Sequence, residues 1–286
     1  MPELPEVEVL RRTLAPHLAG ETIAHLEVRA PALRGPLDAA AFERDAAGRR
    51  IRALRRRAKY LLIDLAAGAG GAEPSTLVIH LGMSGRLTVR AAGDGEPLPH
   101  EHLVVHLASG RRLSLRDPRR FGQAFTLPTA GLGSDPRFAH LGIEPLGDAD
   151  AGPTLDGEHL WCAAGGRRGP VKPFLMDSTV VVGVGNVYAS EALWQAGIHP
   201  KRSVRRIAAG RWERLAGCVR QVLARAIEEG GTTLNDFTDA EGNAGYFQVS
   251  LAVYGRDGEP CPRCGLPIRR AVQAGRSTYY CVGCQR

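Results

Sequence analysis

Four of the chain's six cysteines form two Cys-x2-Cys pairs, Cys261/Cys264 and Cys281/Cys284, with 16 residues between them. That is the spacing of a four-cysteine zinc ribbon, in which each pair sits on a tight turn and supplies two thiolates to a tetrahedral Zn2+. Gly265 and Gly283 suit such knuckles. With four protein ligands the metal has no open position for catalysis. Its role is to fold a hairpin and present the residues between the pairs, among them Arg269, Arg270 and Arg276. Guanidinium groups on a hairpin suit phosphate or base contact. A redox dithiol is the other reading of a single pair, and the doubling argues against it.

The basic residues hold a second signal. Of 37, only Lys59, Lys172 and Lys201 are lysines. A genome biased toward Arg explains the imbalance, and on that reading a Lys persists where Arg cannot replace it. Arg stays protonated, whereas Lys can be shifted into proton-transfer chemistry. Lys59 and Lys172 are therefore candidates for chemistry. The group His100, His102 and His106 could suggest a metal, but alternating strand positions usually split between two faces.

The elements that must position these groups follow from periodicity. Over residues 5–19, Val7, Leu10, Leu14 and Leu18 recur at helical spacing, with Pro5 in the first turn and Glu6 and Glu8 near the positive end of the dipole. From about 22 to 127 the pattern is one of short strands: 23–29, 50–56, 60–65, 77–81, 86–90, 103–107 and 111–116, several separated by Gly/Pro turns such as 68–74 and 93–99. Such a run favours a β-sandwich or barrel. A loop-rich stretch, 128–153, connects to helices over 186–196 and 211–229. Residues 232–247 read as a polar loop.

The 286 residues carry a formal net charge of +7, a sequence pI near 9.4 and 44% apolar residues. The length suggests two or three domains, and the charge suggests a polyanionic partner. No stretch of 18 apolar residues exists, so no membrane span is expected. The acidic start, Met1-Pro2-Glu3-Leu4-Pro5-Glu6, lacks an apolar signal region, and a cytoplasmic protein is expected. There the cysteine cluster reads as a metal site rather than disulfides.

Taken together, several segments carry a family resemblance. They are Pro2–Glu8, Arg56–Leu61, His80–Gly85 (HLGMSG), Asp117–Gly122 (DPRRFG), Val182–Glu191 (VGVGNVYASE), Gly230–Leu234 (GGTTL) and the cysteine ribbon. In this order, from the first residues to the last, they resemble the formamidopyrimidine-DNA glycosylases, bacterial oxidised-purine glycosylases with AP lyase activity.

The resemblance implies a definite chemistry. Removal of Met1 would expose Pro2 as a secondary amine, and an unperturbed α-amino group has a pKa of about 7.7–8.0. The adjacent helix N-terminus should lower it further. Attack on C1′ displaces the damaged base and leaves an iminium with no N–H proton to lose, an electron sink for loss of the 3′ and then the 5′ phosphate. Glu3 is then the proton donor and shuttle, and Glu6 a supporting carboxylate. Lys59 serves protonation and phosphate positioning, and Arg276 contacts the phosphates flanking the lesion. Met83, Arg119 and Phe121 match a wedge that fills the gap left by an everted nucleotide. His100, Arg119, Arg167, Lys172 and Asn186 match or fall near DNA contacts. The stretch 165–170 departs from the lysine-rich pattern common in the family, which puts Arg167 in doubt. Residues 232–247 match the loop that closes over the lesion.

The expected architecture is α+β and multidomain. Residues 1–130 form an N-terminal helix with a catalytic β-sandwich, 131–251 a helix–two-turn–helix DNA-binding domain, and 252–286 the zinc ribbon, with DNA in the cleft between the main parts. One structural Zn2+, no organic cofactor, damaged duplex DNA as partner and a monomer complete the expectation. Its rivals are an endonuclease VIII-like enzyme for oxidised pyrimidines, a non-catalytic zinc-ribbon DNA-binding module and an RNA-binding ribbon protein. Leu4 and the Arg119/Phe121 wedge favour the purine branch. Pro2, Glu3 and Lys59 would be superfluous for binding alone.

Overall fold

Leu4–Leu18 forms the first helix, α1, and buries Leu4, Val7, Leu10, Leu14 and Leu18 along one stripe. Glu3 is its N-cap. The Glu3 backbone N–H donates to Glu6 Oε2 at 2.7 Å, and the reciprocal bond to the Glu3 side chain closes a capping box. The computed structural model describes residues 2–91, 98–147, 153–231 and 251–286.

The strands β1 (Ile23–Val28), β2 (Ile51–Arg57), β3 (Tyr60–Leu65), β4 (Ser75–His80), β5 (Arg86–Arg90), β6 (Glu101–Leu107), β7 (Arg112–Arg116) and β8 (Gln123–Pro128) make two antiparallel sheets, ordered β1-β6-β7-β5 and β2-β3-β4-β8. Leu103, Val105 and Leu107 alternate along β6, and Leu61, Ile63 and Leu65 along β3. These residues share one core with Leu87, Leu113, Leu77, Ile79 and the buried stripe of α1. A period of two thus turns one face of each sheet inward, and the sandwich expected from the strand pattern is present.

Several short elements escape the sequence pattern, two of them in or beside these sheets. Helix α2 (Ala39–Asp45) has a single buried anchor, Phe42, and is started by the Asp38 side chain accepting from Ala41 N–H at 3.0 Å. Strand β8 buries fully only Ala124, yet pairs with β4 along its whole length. Neither is long or apolar enough to show a period. Within the stretch read as connecting loop lies a short helix, α3 (Pro136–Ala139).

The chain divides into two compact units, one of residues 2–139 with Gly230 and Gly231, the other of 140–229 with 251–286. The second holds α4 (Gly157–Ala164), α5 (Val171–Leu175), α6 (Asn186–Ala196) and α7 (Ala209–Glu228). Two successive turns, at 176 and 178–180, join α5 to α6, which makes the helix–two-turn–helix unit. Helix α7 buries Trp212, Leu215, Val219, Leu223 and Ile227 and packs on α4 and α6. The hairpin β9 (Arg269–Gln273) and β10 (Arg276–Tyr280) packs on α6, so the ribbon is part of the helical unit. The loop 232–247 and much of the 93–99 turn lie outside the described residues.

Candidate active site, nucleic-acid interface and metal centre

In the first unit Pro2 is buried at the head of α1, with Glu3 and Glu6 buried beside it. The capping box holds these two carboxyl groups at the positive end of the helix dipole. One further turn on, Glu8 accepts from Arg11 Nη2 at 2.7 Å, Arg12 Nε at 2.8 Å and Arg56 Nε at 3.3 Å. Burial raises the Glu8 carboxyl, but the Arg11 and Arg12 hydrogen bonds and the charges of Arg11 and Arg56 outweigh it, so its pKa lies below the ordinary value.

Arg56 carries this ion cluster to Lys59. Its Nη1 donates to the Ala58 carbonyl at 3.0 Å. Arg57 pairs with Tyr60 across the β2–β3 hairpin, so Ala58 and Lys59 are the two turn residues. Ala58 has φ 54°, the left-handed region that costs a residue with a Cβ roughly 1–2 kcal/mol. Lys59 is thus held by a strained turn braced from α1. His80 lies close by, its ring 4.8 Å from that of Tyr60. Burial first, then the charges of Lys59 and Arg34, push His80 down to about 4. Its Nδ1 accepts the Gly82 N–H at 3.0 Å, as a neutral ring does.

That bond starts the wedge. Met83 and Phe121 are large apolar side chains left exposed, at 37% and 47%. Their two loops interlock through Asp117, which is fully buried. Asp117 accepts from Ser84 Oγ at 2.5 Å and from Gly122 N–H at 2.7 Å, while its carbonyl meets His102 Nε2 at 2.9 Å. Ser84 Oγ accepts from Arg119 N–H at 3.3 Å, and Arg119 Nη2 donates to the Met83 carbonyl at 3.2 Å. Gly82 has φ +61°, and a Cβ there would stand 2.3 Å from the Phe121 carbonyl carbon. Met83, Arg119 and Phe121 therefore sit together on one rigid double loop. Asp117 and Ser84, which hold it, lay inside recognised motifs but carried no signal of their own beyond residue type.

The histidines separate. His100 is exposed with φ 63°, and its carbonyl accepts Asp117 N–H at 3.0 Å. His106 stacks on His25 at 4.2 Å and meets Glu27 at 3.2 Å. His102 Nε2 meets the Asp117 carbonyl, so His100 and His102 both serve Asp117 while His106 turns to His25 and Glu27.

In the second unit Arg167 is paired with Asp177 at 2.7 Å, its side chain 43% exposed. Lys172, matched to the family's DNA contacts, is held inside the protein. Its side chain is buried, and Nζ donates to Asn186 Oδ1 at 2.6 Å, Thr278 Oγ1 at 2.8 Å and the Ser277 carbonyl at 3.2 Å. An ammonium so enclosed holds protein groups together; to reach a phosphate it would have to abandon these acceptors. Asn186, the first residue of α6, also donates through Nδ2 to the Ser277 carbonyl at 3.0 Å. Glu191, which the sequence reading did not single out, accepts the N–H groups of Ala252, Val253 and Tyr254 at 2.8–3.0 Å. Its signal was a lone acid amid the apolar run of α6. Arg276 is exposed and opens β10 directly after the tight Ala274-Gly275 turn.

The four ribbon cysteines converge, all sulfurs lying within 4.8 Å of one another. Cys264–Cys281 is 3.4 Å and Cys261–Cys284 3.8 Å. A tetrahedral Zn2+ with Zn–S bonds of about 2.3 Å needs sulfurs ~3.8 Å apart, so these residues fit the metal. Among the described residues this is the one group of His, Cys, Asp or Glu that could hold a metal ion, and no helix is long and apolar enough to cross a membrane.

Comparison with known proteins agrees along the whole chain. Residues 1–124 match the formamidopyrimidine-DNA glycosylase N-terminal domain, 141–238 the helix–two-turn–helix domain of the same enzymes, and 258–286 a zinc finger found in them and in isoleucyl-tRNA synthetases. Formamidopyrimidine-DNA glycosylases of Alkalilimnicola ehrlichii and Ruegeria pomeroyi are 49% and 46% identical, each alignment covering 100% of both chains. The crystal structure of the Thermus thermophilus protein is 40% identical with a TM-score of 0.83, covering 99% of this chain and 98% of that one. The Lactococcus lactis protein, solved with DNA containing N7-benzyl-Fapy-dG, is 30% identical with a TM-score of 0.86, covering 100% of both. The chain belongs to the formamidopyrimidine-DNA glycosylase family.

Proposed function

We infer that this protein is a base-excision repair enzyme that removes oxidised purines, 8-oxoguanine and formamidopyrimidines, from duplex DNA and then cleaves the strand as an AP lyase. The observation that carries the reading is the full-length family match with the Pro2, Glu3 and Lys59 set intact. In this reading the wedge of Met83, Arg119 and Phe121 enters the duplex as the damaged nucleotide swings out, a step that costs a few kcal/mol. The Pro2 amine, freed of Met1, forms a bond to C1′ as the C1′–base bond breaks, and Glu3 supplies a proton. The nitrogen lone pair then gives the iminium as the C1′–O4′ bond breaks and the ring oxygen takes up a proton, opening the sugar. Loss of a C2′ proton expels the 3′ phosphate, and a second elimination expels the 5′ phosphate. Lys59 and Arg276 serve those phosphates, with His100, Arg167 and Asn186 as further candidate DNA contacts. Lys172 acts one step removed, through Asn186 and β10. A zinc held by Cys261, Cys264, Cys281 and Cys284 keeps the ribbon folded. The protein works as a monomer in the cytoplasm, on nucleoid DNA, in the domain layout 1–130, 131–251 and 252–286 read above.

A second substrate class has one observation in its favour: the Lactococcus lactis relative has also been solved with DNA containing an oxidised pyrimidine. Borohydride trapping separates the readings. The protein with a native Pro2 terminus should form a covalent adduct on a duplex with 8-oxoguanine opposite cytosine. Pro2→Gly and a form keeping Met1 are the controls. An adduct only on an oxidised pyrimidine would move the enzyme to the other branch. Tight binding with no adduct on either would leave a binding module.

A further inference from the structure

The ribbon is fastened to both ends of α6. At the N-terminal end Lys172 and Asn186 bind Ser277 and Thr278 of β10. The C-terminal fastening lies at the metal site itself. Arg263, between the ligands Cys261 and Cys264, stands 4.3 Å over the Trp194 ring. Its guanidinium also donates to the Trp194 and Gln195 carbonyls at 3.4 and 3.5 Å, near the negative end of the helix dipole. Trp194 in turn packs on Val253, Cys261, Ile268 and Cys281. Its indole Nε1 is sealed from solvent and, among the described residues, meets no well-aligned acceptor. A buried donor left in that state costs about 1–3 kcal/mol.

The acceptor that removes this cost is a thiolate. Four thiolates on one Zn2+ carry two net negative charges, and such a site is stabilised by N–H groups aimed at its sulfurs. Backbone N–H groups of Arg263 and Cys264 already serve Cys261, and the Trp194 side chain stands within reach of the same sulfur. We propose that the Trp194 indole N–H donates to the zinc-bound Cys261 sulfur and that, with Arg263 stacked above it, this pair couples retention of the metal to helix α6. Zinc loss would then loosen the helix whose first residue is Asn186.

The test uses the full-length zinc protein. Trp194→Phe keeps a ring in place and removes only the donor. Zinc transfer to a chromophoric chelator should be about tenfold faster or more, and the sulfur-to-cobalt charge-transfer band of the Co2+-substituted protein should shift to lower energy. Trp161→Phe, an exposed position, should change neither. Unchanged release and an unchanged band in Trp194→Phe would overturn the proposal. Should that variant fold poorly, the wild-type protein decides. The Trp194 indole N–H resonance should move when Cd2+ replaces Zn2+ while that of Trp161 stays; an unmoved Trp194 resonance refutes the bond. Neither readout depends on glycosylase activity.

Discussion

The Glu8–Arg56 pair predicts an asymmetry between its two single variants. Arg56 is among the most enclosed cations of the first unit, its side chain 6% exposed against 10% for Glu8. Glu8 has two further guanidinium partners, Arg11 and Arg12, and Arg56 donates as well to the Ala58 carbonyl. Arg56→Met therefore leaves Glu8 paired and removes one charged hydrogen bond to Ala58, a loss of about 1.5–3 kcal/mol. Glu8→Gln takes the anion from a buried guanidinium, a loss of about 3–5 kcal/mol. The double variant should be no worse than Glu8→Gln alone, because both changes act on one interaction. Urea unfolding at neutral pH measures all three. The functional consequence runs the other way. Arg56 braces the turn that aims Lys59, and a displacement of about 1 Å can cost ~100-fold in rate. Arg56→Met should therefore slow strand cleavage at a preformed abasic site by ten- to a hundredfold while DNA affinity changes by less than about threefold. If Arg56→Met proves as destabilising as Glu8→Gln, or cleaves abasic DNA at the wild-type rate, the reading of this cluster is wrong.

Other expectations can be checked as directly. Gly82→Ala meets both a left-handed φ and the Phe121 backbone, so excision of an intact lesion, which needs the wedge, should fall far more than cleavage of an abasic site; equal losses would speak against the wedge. Lys172→Met should lower stability by at least about 2 kcal/mol yet leave the salt dependence of DNA binding unchanged, whereas a direct phosphate contact would reduce the log–log slope by about 0.9. His80 titrates near 4 in the folded protein against 6.5 ordinarily. The unfolded chain therefore binds its proton first, and stability should decline as pH falls from about 6.5 toward 4, a slope that His80→Asn should flatten. Glu27 is lowered as well, in this case because its charged form is favoured: Arg29 first, then His106, hold it at about 2. Its contribution should be full above the ordinary 4.5 and fade as pH falls through 2, as a carboxylate-resolved NMR titration would show.

What could be read from the sequence was whatever has a short, strict period or spacing. Helix α1 announces itself through Val7, Leu10, Leu14 and Leu18, all essentially buried, and the ribbon through its doubled cysteine pairs. The β-sandwich follows from strands that alternate cleanly, such as Leu103, Val105 and Leu107. Elements with one anchor, α2 on Phe42 and β8 on Ala124, have no period to detect. Nor does sequence reveal which loops interlock: Asp117 reaches back 33 residues to Ser84 to build the wedge platform. The lysine argument picked out Lys172 without showing what surrounds it. Its compact ammonium spends its donors on Asn186, Ser277 and Thr278, a role for a point charge rather than for a planar fork. Scarcity marks a constraint, and the constraint here is geometric.

Two of the cations proposed to serve the phosphates, Lys59 and Arg276, stand one place apart on two-residue hairpins: Lys59 is the second residue of its turn, and Arg276 is the first after its own. Side chains on a strand alternate faces, so adding or deleting one residue in either turn would reverse every side chain beyond it relative to its partner strand. At these two places the chain can vary in composition but not in length. Insertions and deletions there should behave as complete losses of function, including those that add only a glycine, while single substitutions at Ala274 grade smoothly.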